Sequence, residues 1–327
     1  MVGPIPWRTV KEPMVDHPHA LTAEQSEQFR RDGHLILRGV LPTATLDALH
    51  GSFSRVVDHL ARQWQQRGVV TETFADLPYD QRYLRLIESS QVRVPAAWRR
   101  ILVGRPVYDL WRTPELLGPV RSLLGDEVYA HGVWNARPRD PHGRTQQVAW
   151  HQDAYYYKGW DPSVGPLLSA WIPLVPVDED TACLQFVTGS HTRGWISRDR
   201  LPNGEYGTSD EAVGDGPVST ARMEPGDVVI FTDTTLHRST PNVSDRIRWN
   251  IDIRFAPAVD EVIRNSPRGY RCFSAADPAR VESFETWAGR YRYEPEDLLT
   301  ELTNFEEGYD LDVLRAFSRA SPYADIY

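Results

Sequence analysis

The residues with the clearest capacity for chemistry lie in Trp150-His151-Gln152-Asp153. His151 and Asp153 stand two apart, so on an extended strand their side chains leave the same face, and an imidazole and a carboxylate can share one metal ion. Alone, such a triplet is common by chance and reads first as a hydrogen-bonded His–Asp pair at the surface. A second imidazole adds weight, because His237 follows an apolar run within Phe231-Thr232-Asp233-Thr234-Thr235-Leu236-His237 and opens a polar loop. Two histidines and one carboxylate cover one face of an octahedral ion and leave three positions open, the ligand set of non-haem Fe(II) oxygenases; zinc is more often held tetrahedrally. Fe(II) with one carboxylate keeps a single positive charge, so a chelating organic anion suits two open positions and dioxygen the third. His191, in Gly189-Ser190-His191, is the rival imidazole.

The elements that must position these groups can be sketched. Thr22 with Gln25 fits a capping box that opens a short helix through Phe29, stopping near Gly33, and the strand His34 to Arg38 follows. Leu46, Leu49, Phe53, Val56, Leu60 and Trp64 recur at helical spacing, which predicts a long amphipathic helix over 43–67 with one buried stripe. Residues 79–125 read as helical pieces punctuated by Pro95, Pro106, Pro114 and Gly125. From Glu127 to Pro257 short apolar or alternating runs are separated by Gly, Pro, Asp and Asn, the pattern of an antiparallel sandwich or barrel. Strands are expected at 127–135, 146–151, 168–175, 183–187, 217–222, 227–232 and 247–255. In the last, Ile247, Trp249, Ile251, Ile253 and Phe255 alternate with Arg248, Asn250, Asp252 and Arg254. The polar set either lines an interior chamber or faces solvent from an edge strand. After Pro257 a helical, acidic extension is expected, with 14 Asp or Glu against 8 Arg from Asp260 to Tyr327.

Composition narrows the classes of function. At 327 residues one elaborated domain is expected. A net charge of -9 offers no basic surface for nucleic acid or anionic lipid. No apolar run is long enough for a membrane span, and Cys183 and Cys272 read as reduced thiols of a cytoplasmic protein. The 11 Trp and 14 Tyr suit a pocket for an organic ligand.

The segments LTAEQSEQFRRDGHLILRGVL from residue 21, WHQD at 150–153, a strand with Trp171, CLQFVTGSH at 183–191, MEPGDVVIF at 223–231 and LHRSTPNVSDRIRW at 236–249 come in an order that resembles the phytanoyl-CoA dioxygenase family of Fe(II)/2-oxoglutarate oxygenases. The resemblance implies one α+β, mainly β domain over 1–327. Its core would be a double-stranded β-helix, the cupin-like jelly roll, at 126–257, wrapped by helices at 1–125 and 258–327. It implies Fe(II) ligation by His151, Asp153 and His237, with 2-oxoglutarate and O2 as cosubstrates. Arg248 is implied to grip the distal carboxylate of 2-oxoglutarate with Ser239 as hydroxyl partner; alternation alone does not choose among Arg246, Arg248 and Arg254, and the family spacing does. Asn135 and Arg137 are implied cosubstrate contacts, although Arg137 stands about where the family has Lys. His191 is assigned to turn geometry, and Asp180-Thr181-Ala182 replaces an Asn-Gly pair usual in the family. Tyr155, Tyr156, Tyr157, Trp160 and Trp171 are expected near the substrate; Tyr129, His131 and His142 stay unassigned.

Related halogenases carry Ala or Gly where this chain has Asp153, so the resemblance implies hydroxylation or another oxidation of an unactivated C–H bond rather than halogenation. Desaturation, ring closure and epimerisation stay open. The expected substrate is a neutral or cationic small molecule of specialised metabolism, with an acyl thioester also compatible, acted on by a monomer or homodimer. Two readings compete: a non-catalytic cupin-like ligand-binding protein and a metal-dependent hydrolase using bound hydroxide.

Overall fold

The computed structural model describes residues 17–90, 98, 102–141, 148–156, 167–202 and 206–291. Thr22 caps helix α1 (Ala23–Asp32) with the reciprocal Thr22–Gln25 bonds of a capping box. Gly33 stops it at φ 78°, a left-handed conformation in which a Cβ would lie 2.3 Å from the His191 ring. The chain then enters β1 (His34–Leu37), followed by α2 (Thr43–Gln66), α3 (Tyr79–Ser90), α4 (Arg105–Leu110) and α5 (Pro114–Leu124). The apolar stripe of α2 is buried from Leu46 to Trp64.

Strands follow: β2 (Glu127–Ala130), β3 (Asn135–Arg139), β4 (Val148–His151), β5 (Leu168–Pro173), β6 (Leu184–Val187), β7 (Asp199–Arg200) and β8 (Tyr206–Gly207). After the short helix α6 (Asp210–Val213) come β9 (Val218–Ala221), β10 (Val228–Thr232), β11 (His237–Ser239) and β12 (Arg248–Pro257). The major sheet has the order β1-β10-β5-β12-β2, with β3 also on β12; the minor sheet has the order β4-β11-β6-β9. All these pairings are antiparallel. The inner faces of the two sheets meet, with the Phe186 and Phe231 rings 5.2 Å apart.

Strand β12 resolves the two readings of its polar alternation. It is central, paired with β5 on one side and with β2 and β3 on the other. Arg248, Asn250, Asp252 and Arg254 are buried inside the molecule, so the polar face is turned to the interior and is not a solvent-facing edge. Trp249, on the opposite face, packs under the helical shell against Phe53, Tyr83 and Trp98, with ring centroids 5.0–5.4 Å apart.

Three expectations change. The strand expected at 127–135 is two strands, because β2 pairs with the end of β12 and β3 with its start. The stretch after Pro257 is not purely helical. Helix α7 (Asp260–Asn265) leads to β13 (Tyr270–Ser274), which extends the major sheet beside β2, and α8 (Phe284–Gly289) follows. Tyr270 and Cys272 are buried and Arg271 is neutralised by Glu127 at 2.7 Å, which makes this a core strand. Finally, Trp64, Trp98, Trp111, Trp134, Trp249 and Trp287 are fully buried, so most of the 11 tryptophans seal helices onto sheet instead of lining a ligand pocket.

Candidate metal and cosubstrate site

The antiparallel register of β4 and β11 sets His151 directly opposite His237, and their rings lie 4.2 Å apart. Asp153 follows β4 on the first turn of a 3-10 helix and returns its carboxylate to the same face. One ligand atom from each of His151, Asp153 and His237 lies within 4.8 Å of the others, and all three residues are buried. Each imidazole is oriented from behind. His151 Nδ1 is 2.9 Å from the Ala149 carbonyl and His237 Nδ1 is 3.0 Å from that of Thr235. With Nδ1–H donated to these carbonyls, the Nε2 lone pairs face the shared point. Asp153 Oδ1 lies 3.7 Å from His151 Nε2 and 3.9 Å from His237 Nε2.

Electrostatics suit a cation at that point. Burial opposes ionisation of Asp153, but Arg254 and then the two histidines outweigh it and hold the carboxyl well below the usual range. Burial, reinforced by His151, pushes His237 down to about 3, so at neutral pH it is an uncharged donor. Phe231, with its ring 4.6 Å from that of His237, supplies an apolar flank.

The sequence reading singled out Gln152 only as the residue between the two ligands. Its side chain points the other way, is fully buried, and ties three segments: Nε2 donates to Gly194 O at 2.8 Å and Thr234 O at 2.7 Å, while Oε1 accepts from Ile196 N at 2.9 Å. It thereby clamps the ligand strand to the segments on either side. Ser169 was also missed. It donates to Asp153 Oδ2 at 2.7 Å, and its one signal was a hydroxyl in an otherwise apolar strand.

Arg248 is buried under the ring of Trp171, 5.4 Å from its centroid. Its Nη1 donates to Asn250 Oδ1, its Nε has no hydrogen-bond partner among the described residues, and no carboxylate there lies within ion-pair distance. Burial, then Arg139 and Arg137, push its pKa well down, a penalty that an anion seated beside it would relieve. The other two arginines of the expected trio divide clearly: Arg246 is exposed, and Arg254 reaches Asp153 at 3.0 Å. Ser239 Oγ accepts from Val148 N at 2.9 Å, keeping its own hydrogen for a ligand. Asn135 donates to Asp252 at 3.2 Å. Arg137, opposite Asn250 and half-buried, has an Nε without a partner among the described residues.

The remaining expected residues separate. Trp171 supports Arg248. Tyr155 is half-buried, donates from its hydroxyl to Ile196 O and meets Trp195 edge-on at 5.3 Å. Tyr157, Trp160 and His142 lie outside the described residues, as does the side chain of Tyr156. His191 sits on a short 3-10 turn with Nε2 3.0 Å from Arg30 O, a turn residue remote from the triad. Tyr129 donates to Ser266 O at 2.8 Å.

His131 is buried beside Arg254, with Nδ1 accepting from Val133 N at 3.2 Å. Burial, then Arg254, push it down to about 3. The unfolded chain therefore binds this proton first as pH falls below the ordinary value of 6.5, and stability drops with it. His131→Gln is expected to remove about 1 kcal/mol of loss per pH unit between pH 6.5 and 5. Denaturant melts of both proteins at these pH values check this; parallel slopes would refute it.

Comparison with known proteins agrees with this geometry. Residues 29–249 match the sequence profile of the phytanoyl-CoA dioxygenase (PhyH) family. The chain is similar to an ectoine dioxygenase of Bordetella bronchiseptica, 28% identical over 248 residues that cover 71% of this chain and 74% of that one. A 1-deoxypentalenic acid 11-beta-hydroxylase of Streptomyces arenae is 28% identical over 191 residues, covering 51% and 60%. Among solved structures, EctD from S. alaskensis with bound Fe aligns over 76% of this chain and 82% of that one, at 18% identity and a TM-score of 0.51, a likeness of fold. With two sheets meeting around a His-Asp-His cluster and most of its length matched, the chain belongs to the phytanoyl-CoA dioxygenase family and has its jelly-roll core.

Proposed function

We propose that this protein is an Fe(II)/2-oxoglutarate-dependent oxygenase that hydroxylates, or otherwise oxidises, an unactivated C–H bond of a small organic molecule in specialised metabolism. The observation that carries the reading is the register that sets His151 against His237 with Asp153 closing the triangle, in a chain of a dioxygenase family. His151 Nε2, Asp153 Oδ1 and His237 Nε2 would hold the iron, and Arg248 with Ser239 would anchor the cosubstrate. When bound, iron, 2-oxoglutarate and dioxygen supply the oxidising power, and the cosubstrate leaves as succinate and CO2.

The chain's own residues do the rest. Arg248 offers a planar fork that meets a carboxylate in two hydrogen bonds, strong here because water is excluded. Trp171 fixes that fork from one face. Asn135 and Arg137, on the strand beside β12, extend the cosubstrate contacts. Tyr155, on the turn after Asp153, would contribute to holding the target carbon near the metal, the task that proximity assigns to the protein. No acid–base residue is needed.

No described helix is long and apolar enough to cross a membrane. A cytoplasmic protein, monomeric or homodimeric, is the reading we favour; its two cysteines are free and buried. The test is succinate release from 2-oxoglutarate with Fe(II) and a library of small metabolites, in air and without oxygen. Release that requires both iron and oxygen is expected. Turnover indifferent to oxygen would mark a hydrolase, and metal uptake without consumption of 2-oxoglutarate a binding protein.

A further inference from the structure

The two oxygens of Asp153 have separate surroundings. Oδ1 faces the Nε2 atoms of His151 and His237. Oδ2 receives Ser169 Oγ at 2.7 Å and Arg254 Nη2 at 3.0 Å. Arg254 is itself fixed: its Nη1 donates to Asp252 Oδ2 at 2.6 Å, which also accepts from Asn135 Nδ2 at 3.2 Å, while Asp252 Oδ1 accepts from Asn250 Nδ2 at 3.3 Å. Asn250 Oδ1 takes the hydrogen bond from Arg248. A continuous polar line thus runs along the inner face of β12 from the metal-ligating carboxylate to the arginine assigned to the cosubstrate, and Arg248, Asn250, Asp252 and Arg254 are all buried.

This arrangement bears on how many coordination positions the protein leaves open. A carboxylate can bind a metal through one oxygen or both. Bound through one, Asp153 and the two histidines take three positions of six, leaving two for a chelating anion and one more. Bound through both, they take four, and a chelating anion fills the rest. Two donors on Oδ2, one of them charged, oppose its turning toward a cation.

We propose, on the strength of the iron and 2-oxoglutarate reading, that Arg254 is a positioning residue: held by Asp252, it confines Asp153 to single-oxygen ligation and keeps the last coordination position open. Arg254 acts through Asp153, with Ser169 as the weaker second restraint.

The experiment reconstitutes the full-length protein anaerobically with Fe(II) and 2-oxoglutarate, for wild type, Arg254→Met, Arg254→Lys and Ser169→Ala. Three quantities are read: Fe(II) uptake, the visible charge-transfer absorption of the chelated cosubstrate, and affinity for nitric oxide as a probe of the remaining position. With Fe(II) supplied at a concentration that fills the site, Arg254→Met is expected to show the absorption but to lose about tenfold or more in nitric oxide affinity, an order of magnitude like that of other changes behind a metal ligand. Arg254→Lys, which retains a charged donor, restores most of it, and Ser169→Ala gives a smaller loss that stands even if Arg254→Met does not fold. Wild-type nitric oxide affinity in the folded variants overturns the proposal, as does a loss that merely follows loss of Fe(II) uptake and is not restored by Arg254→Lys. Absence of the absorption from wild-type protein would instead overturn the iron and 2-oxoglutarate reading beneath it.

Discussion

His237→Ala and His151→Ala are each expected to abolish iron uptake and turnover while leaving the fold intact. Either substitution removes one of the three ligands that the described residues offer at this site, whose ligand atoms lie within 4.8 Å of one another. The two that remain cannot define a face of the ion. Changing the partner of a ligand typically costs 10–100-fold in metal affinity, so loss of a ligand itself is expected to exceed about 100-fold. The fold should persist because each imidazole is small and its Nδ1 lies against a carbonyl only two residues away in its own segment. Equilibrium dialysis with Fe(II), paired with thermal melts of the apoprotein, checks both halves. Wild-type turnover in either variant would reject the ligand assignment.

Arg248→Ala is expected to have the next largest effect, on the affinity for the cosubstrate. Removing one member of a buried, hydrogen-bonded charge pair costs roughly 2 to 5 kcal/mol, which corresponds to a rise of about 30-fold to a few thousand-fold in the KM for 2-oxoglutarate. Arg248→Lys should recover only part of this, because an ammonium cannot reproduce the bidentate fork. The apoprotein offers an independent readout. Its Arg248 is buried beside Arg139 and Arg137 with no carboxylate partner among the described residues, so its removal should leave apoprotein stability unchanged or raise it. An unchanged KM would move the anchor to Arg137 or Arg139.

Much of this site was legible in the chain because it depends on local spacing. The spacing of His151 and Asp153 pointed to a shared face, although Asp153 reaches it from a 3-10 turn and not from the strand itself; the capping box at Thr22 and Gln25 formed as read, and the alternation through Ile247–Phe255 announced a strand with one apolar and one polar side. Which polar side chain does what was not legible, since that depends on neighbours far away in sequence. Arg254 reaches Asp153 only because β12 pairs with β5 so that Arg254 stands opposite Ser169. No periodicity within β12 distinguishes Arg254 from Arg248; the family spacing selected Arg248, and the burial of one beside cations and the other beside carboxylates gives a physical reason.

The other misreadings share that origin. Tyr270 to Ser274 is too short to declare itself, and it becomes a strand because β2 offers an unpaired edge. The tryptophans mislead for a different reason. Their rings serve equally for binding ligands and for filling the space between helices and a sheet, and composition cannot separate the two uses. Trp249 shows the outcome, alternating with the inward-facing polar residues of β12 yet packed against the helical shell.

Anomalous diffraction at the iron edge from crystals grown anaerobically with Fe(II) and 2-oxoglutarate tests the central claim most directly. The account predicts one strong peak bonded to His151 Nε2, His237 Nε2 and a single oxygen of Asp153, with the organic anion reaching Arg248. An iron peak elsewhere, or one that His237 does not ligate, would contradict it.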